Sequence, residues 1–371
     1  MSAIKYALAL VVATVVRALK YVVAVVKNRL GAVPRPSYCT YLISYRCNAR
    51  CGMCDSWRMK PGREMTVDEA TEVFKRIGPL DVVRVTGGEP FMRPDLLPLV
   101  EGIMRSSSPL VLHITTNGSF PELIERFVTS FSRPSRLSIM VSVDGLDEEQ
   151  RRSRGADVGL DGVIETVTRL AALRRKLGVS VSVNHTVVSP QSMADHDALC
   201  ARFAALGVDV QTVLAYADSS MYGIKLRGKK ATHLIVPRGY PLHPALAGVD
   251  AVGFVKRELD NVGRIVNPFL RWGKRYYLRG LLARLRGEEH AEPRPPCVAL
   301  RSHVRLLPDG SVPVCQFNTE TVGCLRTQSL KEVWHGEPAR AARRWVDACP
   351  GCWAEGEAMP NAIYTGDLLR R

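Results

Sequence analysis

Ten cysteines stand at positions 39, 47, 51, 54, 200, 297, 315, 324, 349 and 352, and seven of them fall into three short patterns of the kind that metal ligands follow. Cys47-Asn-Ala-Arg-Cys51-Gly-Met-Cys54 brings three thiols into one short loop. Thiolates so spaced are ligands for an iron–sulfur cluster or for zinc. Zinc would want a fourth ligand, and no other Cys or His lies nearby; the next histidine is His113. A cube cluster held by three cysteines leaves one iron open to a substrate or cosubstrate. Cys297, Cys315 and the pair Cys349-Pro-Gly-Cys352 make a second group with a full set of four. That set suits a cluster with no open iron, or a tetrahedral zinc ion. Cys39 and Cys200 read as core residues. An even cysteine count could signal disulfides, but this grouping points to a reducing, cytosolic compartment.

Further polar motifs follow the first cysteine group in order. Thr86-Gly87-Gly88-Glu89-Pro90 offers glycines that let a backbone approach a ligand and an acid that can pair with an ammonium group. Thr115-Thr116-Asn117-Gly118, Ser142-Val-Asp144-Gly145 and Arg154-Gly155 come next.

These motifs need a frame. Short β-branched runs at 38–45, 81–86, 110–116, 137–144, 180–188 and 209–214 alternate with helical stretches such as 67–77, 94–105 and 160–177. Alternating strands and helices imply a parallel sheet, either an incomplete barrel or a doubly wound sheet. Residues 216–296 carry no clear strand order. Pro308-Asp309-Gly310 predicts a hairpin turn between 300–306 and 311–315. A helix is expected over Leu330–Arg344.

CxxxCxxC after the first strand of such a series, then a GGEP motif, resembles the radical SAM family. The resemblance covers residues 38–215 and implies an α/β fold, a partial (β/α)6 TIM-like barrel. It implies a [4Fe–4S] cluster on Cys47, Cys51 and Cys54, whose fourth iron S-adenosylmethionine (SAM) chelates. It implies SAM contacts at Gly87, Gly88, Glu89, Pro90, Asn117, Ser142, Asp144 and Arg154, with Arg151 and Arg152 competing for the last role. Met53 departs from the aromatic residue often found before the third cysteine. From Cys297 onward the chain resembles the twitch or SPASM extensions of such enzymes. Cys297, Cys315, Cys349 and Cys352 would then hold a second, auxiliary [4Fe–4S] cluster. Cys324 stands where related extensions often have Asn and reads as a buried non-ligand. The resulting division is 1–35, helix and linker; 36–215, barrel; 216–296, substrate-recognition segment; and 297–371, auxiliary domain.

The net charge of +15 is concentrated. Lys5, Arg17, Lys20, Lys27 and Arg29 lie in residues 1–31, and six cations lie in 271–286, with no acid in either stretch. Clustered cations suit an anionic membrane surface or an anionic substrate, and the near balance elsewhere argues against a nucleic-acid coat. Residues 4–26 are strongly apolar. Arg17 and Lys20 within them weaken a membrane-spanning helix, and no signal-peptide cleavage pattern follows. An amphipathic helix in the membrane interface fits better, with Leu8, Val11, Val12, Val15, Leu19, Val22 and Val26 opposite the basic face. The competing possibility is a core or partner-binding helix.

The favoured activity is therefore radical cleavage of SAM and hydrogen abstraction from a lipid or lipid-linked molecule by a cytoplasmic protein at the inner membrane face. Alternatives are a peptide-modifying maturase, a small-molecule radical dehydrogenase, or a non-enzymatic iron–sulfur or zinc protein. An electron donor such as flavodoxin or ferredoxin is expected, and no nucleic acid. No catalytic acid or base stands out; His233 and His243 are candidates by composition alone.

Overall fold

The computed structural model describes residues 3–60, 62–155, 157–217, 240–288, 290–349 and 351–370, with the backbone alone over 3–13. His233 lies outside the described residues. All six β-branched runs form strands: β1 (Tyr38–Leu42), β2 (Val82–Thr86), β3 (Val111–Thr116), β4 (Leu137–Val143), β5 (Ser180–Val187) and β6 (Asp209–Leu214). A seventh, β7 (His303–Leu306), completes a sheet of order β6-β5-β4-β3-β2-β1-β7, parallel at every pairing. The sheet is open between β6 and β7, so the architecture is a partial TIM-like barrel.

A parallel sheet covered on both faces by apolar packing reads as unbroken hydrophobic runs. These strands alternate instead. Val83, Val85, Leu112, Ile114, Ile139, Val141 and Val183 are buried in the main core with residues of the helices Val67–Ile77, Leu96–Ser107 and Leu160–Leu177. The intervening residues, Arg84, His113, Thr115, Asn184 and Gln211 among them, line a concave chamber on the other face. The first of these helices opens with a reciprocal cap: Thr66 accepts from the Glu69 N–H and Glu69 from the Thr66 N–H.

Two expectations need correction. The strand before Pro308 does not form a hairpin ladder with the strand after it. The turn is present, with Gly310 N–H donating to Leu307 O, but β7 pairs with β1 while β8 (Ser311–Pro313) pairs with β9 (Thr321–Cys324). Burying β7 beside β1 satisfies a sheet edge that would otherwise stay open. The helix expected over 330–344 is broken at Gly336 into Leu330–His335 and Glu337–Ala348. The basic stretch 271–286 is half embedded in the protein. It belongs to the helix Pro268–Leu285, whose Tyr276, Tyr277, Leu278, Leu281 and Leu282 join a second core with Trp353. Its Lys274 is buried, bonding Thr212 O at 2.5 Å and the Glu355 carboxylate at 3.0 Å.

The helix Glu355–Tyr364 supplies Gly356, Met359 and Ile363 to the chamber wall, opposite the sheet. The N-terminal helix, Ala3–Arg29, docks on the far end of that helix. Tyr21 donates to Ile363 O at 2.9 Å, Asn28 to Tyr364 O at 2.8 Å and Ser302 Oγ at 2.7 Å, and Arg17 to Ser108 O at 2.7 Å. Its other face carries Val15, Leu19, Val22 and Val26 into solvent, Leu19 at 60% exposure. The side chains of Lys5, Leu8, Val11 and Val12 lie outside the described residues. Among the described residues no helix is long and apolar enough to cross a membrane.

Arg93 ties the strand ends to the loop beyond the first cysteines. Its buried guanidinium donates to Ile43 O (3.0 Å) and Met65 O (2.6 Å) and pairs with Asp95 at 2.7 Å. Arg93→Met removes these donors and strands two buried carbonyls, and denaturant unfolding should register a loss of about 3 kcal/mol.

Candidate functional site

The first cysteine group occupies the loop that leaves β1, at the carboxyl end of the sheet. The Gly87–Glu89 turn, Asn117 and Arg154 bond to this loop directly, and Asp144 is linked to it through Arg154. Gly87 and Gly88 lie directly beneath it. Gly88 N–H donates to Ser44 O and Glu89 N–H to Arg46 O, both at 2.8 Å. A Cβ on Gly87 would stand 2.3 Å from Ser44 O, and one on Gly88 would stand 1.9 Å from Arg46 O. The backbone that these glycines admit is that of the cysteine loop itself.

Glu89 is buried and spans the ends of two strands. Its carboxylate accepts from Phe91 N–H (3.1 Å), Thr116 Oγ1 (2.7 Å) and Asn117 N–H (2.7 Å). Burial pushes its pKa up to about 7 despite these donors. Pro90 begins the short turn Pro90–Met92. Asn117 donates through Nδ2 to Asn48 Oδ1 at 2.8 Å, and Asn48 in turn donates to Ser119 Oγ at 2.8 Å. Arg50 N–H donates to Arg154 O at 2.8 Å, so the helix Asp147–Arg154 also holds the loop. The Arg154 side chain is buried against Asp144 at 2.5 Å, and Ser153 Oγ donates to the same carboxylate at 2.6 Å. Arg154 keeps its Nε buried without a partner, and so does the Nε2 of Gln150. Arg151 is exposed, and Arg152 is an exposed partner of Glu149. Ser142 is buried in β4 opposite Asn184 of β5.

The second cysteine group surrounds a cavity of about 420 Å³ whose wall contains Cys297, Cys315, Cys349 and Cys352 but not Cys324. A shared local geometry marks six of the seven grouped cysteines, all but Cys51. Backbone N–H groups two residues downstream point at the sulfurs of Cys47, Cys54, Cys297, Cys315, Cys349 and Cys352. Asn318 adds a second donor to Cys315 at 3.2 Å. Such donors favour thiolates. Cys324, half-buried, instead points its thiol at Asp309 O, 3.7 Å away. Burial pushes Cys47 up to about 11 and Cys51 and Cys315 up to about 12. Without a cation these thiols stay protonated, so metal loading must release protons. Among the described residues no group of three His, Cys, Asp or Glu is arranged for a single ion. Cys39 is buried in the main core; Cys200 is half-buried rather than buried, with its sulfur 3.4 Å from His196 Nε2.

Between the two cysteine groups lies the concave chamber, about 440 Å³. Met53, from the first cysteine loop, and Gln316 and Glu355, next to Cys315 and close behind Cys352, all line it. His113 sits in its wall, bonded to Ser138 Oγ at 3.1 Å; burial lowers its pKa to about 3, and it is neutral. His243 is placed elsewhere, capping the turn Pro244–Leu246. Asn48, Arg84, Glu355 and Glu357 were not anticipated. For Arg84 a signal existed, since a cation inside the run Val82-Val83-Arg84-Val85 is costly unless it faces a polar space. Glu355 and Glu357 carried none.

A parallel partial barrel with three cysteines at its carboxyl end, backed by a four-cysteine domain, defines a class: an iron–sulfur enzyme with an auxiliary metal centre. Residues 41–202 match the model of the radical SAM superfamily, and residues 297–353 match that of SPASM, an iron–sulfur cluster-binding domain. The chain belongs to the radical SAM superfamily and carries a SPASM domain. A GTP 3′,8-cyclase of Aquifex aeolicus is 29% identical over 181 residues, 45% of this chain and 53% of that one. A 7-carboxy-7-deazaguanine synthase of Koribacter versatilis is 25% identical over 182 residues, 42% of this chain and 79% of that one. The chain spans about half the length of the cyclase. Streptococcus suis SuiB, in a crystal structure bound to S-adenosylmethionine, superposes with a TM-score of 0.59 at 13% identity, over 83% of this chain and 68% of that one, and shares the fold. The family fixes the cofactors: SAM, a [4Fe–4S] cluster and an auxiliary iron–sulfur cluster in the second domain, in place of the zinc alternative.

The sulfur geometry predicts that Cys352→Ser, reconstituted anaerobically, loses about four of eight irons per chain. Cys324→Ser should retain full iron and sulfide.

Proposed function

We propose that this protein abstracts hydrogen from a polar small molecule, or from the polar head group of a lipid-linked one, held in the chamber between the two cysteine groups. The carrying observation is that one cavity touches the loops of both groups. Cys47, Cys51 and Cys54 would hold the cluster to which SAM binds, and Cys297, Cys315, Cys349 and Cys352 the auxiliary cluster. When bound, the reduced cluster supplies the electron that splits SAM into methionine and a 5′-deoxyadenosyl radical, which takes a hydrogen atom from the substrate.

The chain's own residues do the positioning. Gly87, Gly88, Asn48 and the Arg154 carbonyl hold the first cysteine loop at the strand ends. The free Nε of Arg154 suits a carboxylate such as that of SAM. Asp144 holds the Arg154 guanidinium, and Asn117, Ser142 and Glu89 are the further candidates for that site. Their carboxylates and amides are already bonded within the protein, so they would shape the SAM site more than grip it. Met53 closes the chamber roof with an apolar, adaptable side chain. Arg84, Asn184, Gln211 and Gln316, set among apolar neighbours such as Met140 and Met359, offer partners to a polar substrate, and the names of the two curated relatives denote enzymes of polar small molecules. An external one-electron donor is required. Reconstituted protein given SAM and dithionite without air should form 5′-deoxyadenosine, and Cys51→Ala should form none. Wild-type protein with full iron and no such product would overturn the assignment.

A second observation favours work at a lipid surface. The row Val15, Leu19, Val22 and Val26 faces away from the body, with exposed Lys20 and Lys27 at its margins, while the opposite face is pinned by Tyr21 and Asn28. An apolar stripe edged by cations suits an anionic membrane interface, and so a peripheral position at the inner membrane face. The full chain should co-sediment with phosphatidylglycerol vesicles, and Leu19→Glu/Val22→Glu should reduce that binding. Unchanged sedimentation, or a concentration-dependent dimer that the same variant abolishes, would reject the membrane role.

A further inference from the structure

Charged side chains in the chamber wall and just behind it match in pairs except for one. Lys274 pairs with Glu355 at 3.0 Å. Arg305 pairs with Glu357, which also lies 3.3 Å from His303 Nδ1. Burial opposes ionisation of Glu357, yet Arg305 and His303 hold it down at about 2. Arg84 has no such partner. It projects from the middle of β2 into the chamber, and its Nε is buried without a hydrogen bond. Among the described residues none of its nitrogens has a hydrogen-bond or ion-pair partner. Its neighbour across the β2–β3 ladder is His113, which is neutral and adds no counter-charge.

The opposite wall leaves the guanidinium uncovered. Gly356, in the first turn of the helix Glu355–Tyr364, faces it: a Cβ there would come within 2.9 Å of Arg84 Nη1 and 3.6 Å of Gln316 Oε1. Glycine keeps the space between Arg84 and Gln316 open. An unmatched cation in a semi-enclosed cavity is costly until an anion meets it. The planar fork of an arginine fits the two oxygens of a carboxylate or phosphate.

We infer that Arg84 binds an acidic group of the substrate, a carboxylate or a phosphate, at the end of the chamber next to the auxiliary cysteines. The inference rests on the chamber being the substrate site. It narrows the substrate to a small polar acid. The acid end sits between Arg84 and Gln316, Asn184 and Gln211 meet uncharged polar groups along the sheet, and the reacting carbon lies toward Met53.

The test uses reconstituted, SAM-loaded full-length protein, titrated calorimetrically with inorganic phosphate and, separately, with succinate. At least one probe should saturate, and which one does distinguishes a phosphate from a carboxylate. Arg84→Met should weaken that probe by about tenfold or more, and Arg84→Lys should fall between. Should Arg84→Met fail to take up iron, Gly356→Val fills the space beside the guanidinium and should weaken the same probe. Failure of both probes to bind wild-type protein, or undiminished binding by the variants, overturns the inference. Failure of the radical assignment shows itself separately, as wild-type protein that binds an anion but yields no 5′-deoxyadenosine.

Discussion

Everything at the carboxyl end of the sheet depends on how closely the Gly87–Gly88 backbone approaches the Ser44–Arg46 backbone. That contact has no room for a single methyl group on either glycine. It joins the loop leaving β1 to the loop leaving β2 through two N–H···O bonds, before any side chain is considered. Asn117 on β3 and the Arg154 carbonyl beyond β4 then clasp the same loop from the other side. Three thiols can converge only if the loop that carries them is held still. The structure holds it by backbone from the connections after β2 and β4, which loses little side-chain entropy, and by the Asn117 side chain from the connection after β3.

The sheet divides the molecule into two chemical regimes. Its convex face is an ordinary apolar core, while its concave face sets Arg84, His113, Thr115, Asn184 and Gln211 among apolar residues and is arched over by the helix Glu355–Tyr364. That helix begins close behind Cys352, so the auxiliary domain and the chamber wall are one continuous piece of chain. Lys274 and Arg305 fasten it, through Glu355 and Glu357, to the Pro268–Leu285 helix and to β7. The auxiliary domain is therefore built into the barrel rather than appended to it. Within residues 297–353, β7 extends the sheet, and the helix Glu355–Tyr364 that follows forms one wall of the chamber.

Much of the frame was legible because it is encoded locally. Six β-branched runs and the helices between them follow from residue periodicity, and all six runs became strands. The hairpin around Pro308-Asp309-Gly310 failed for a physical reason. Turn residues specify a reversal of the chain, but not which neighbour the strand before the turn will choose, and the open edge of β1 outcompeted the local partner. The placing of the basic stretch 271–286 was also settled by distant packing. Its tyrosines and leucines bury one side of the helix, and Lys274 finds a carboxylate that lies far along the chain. Cys324 could be set aside only by analogy from sequence. In the structure its thiol faces a carbonyl, whereas six of the grouped cysteines receive N–H donors.

From its sequence alone, this protein declares two cysteine groups, a βα frame and the order of motifs along it, because spacing and periodicity are properties of neighbouring residues. Tertiary structure alone decided that the paired glycines serve the cysteine loop, that β7 joins the sheet, and that Arg84 faces a chamber without a counter-charge. Those facts depend on which distant side chains and backbones meet, and pairing across the fold leaves no trace in local spacing.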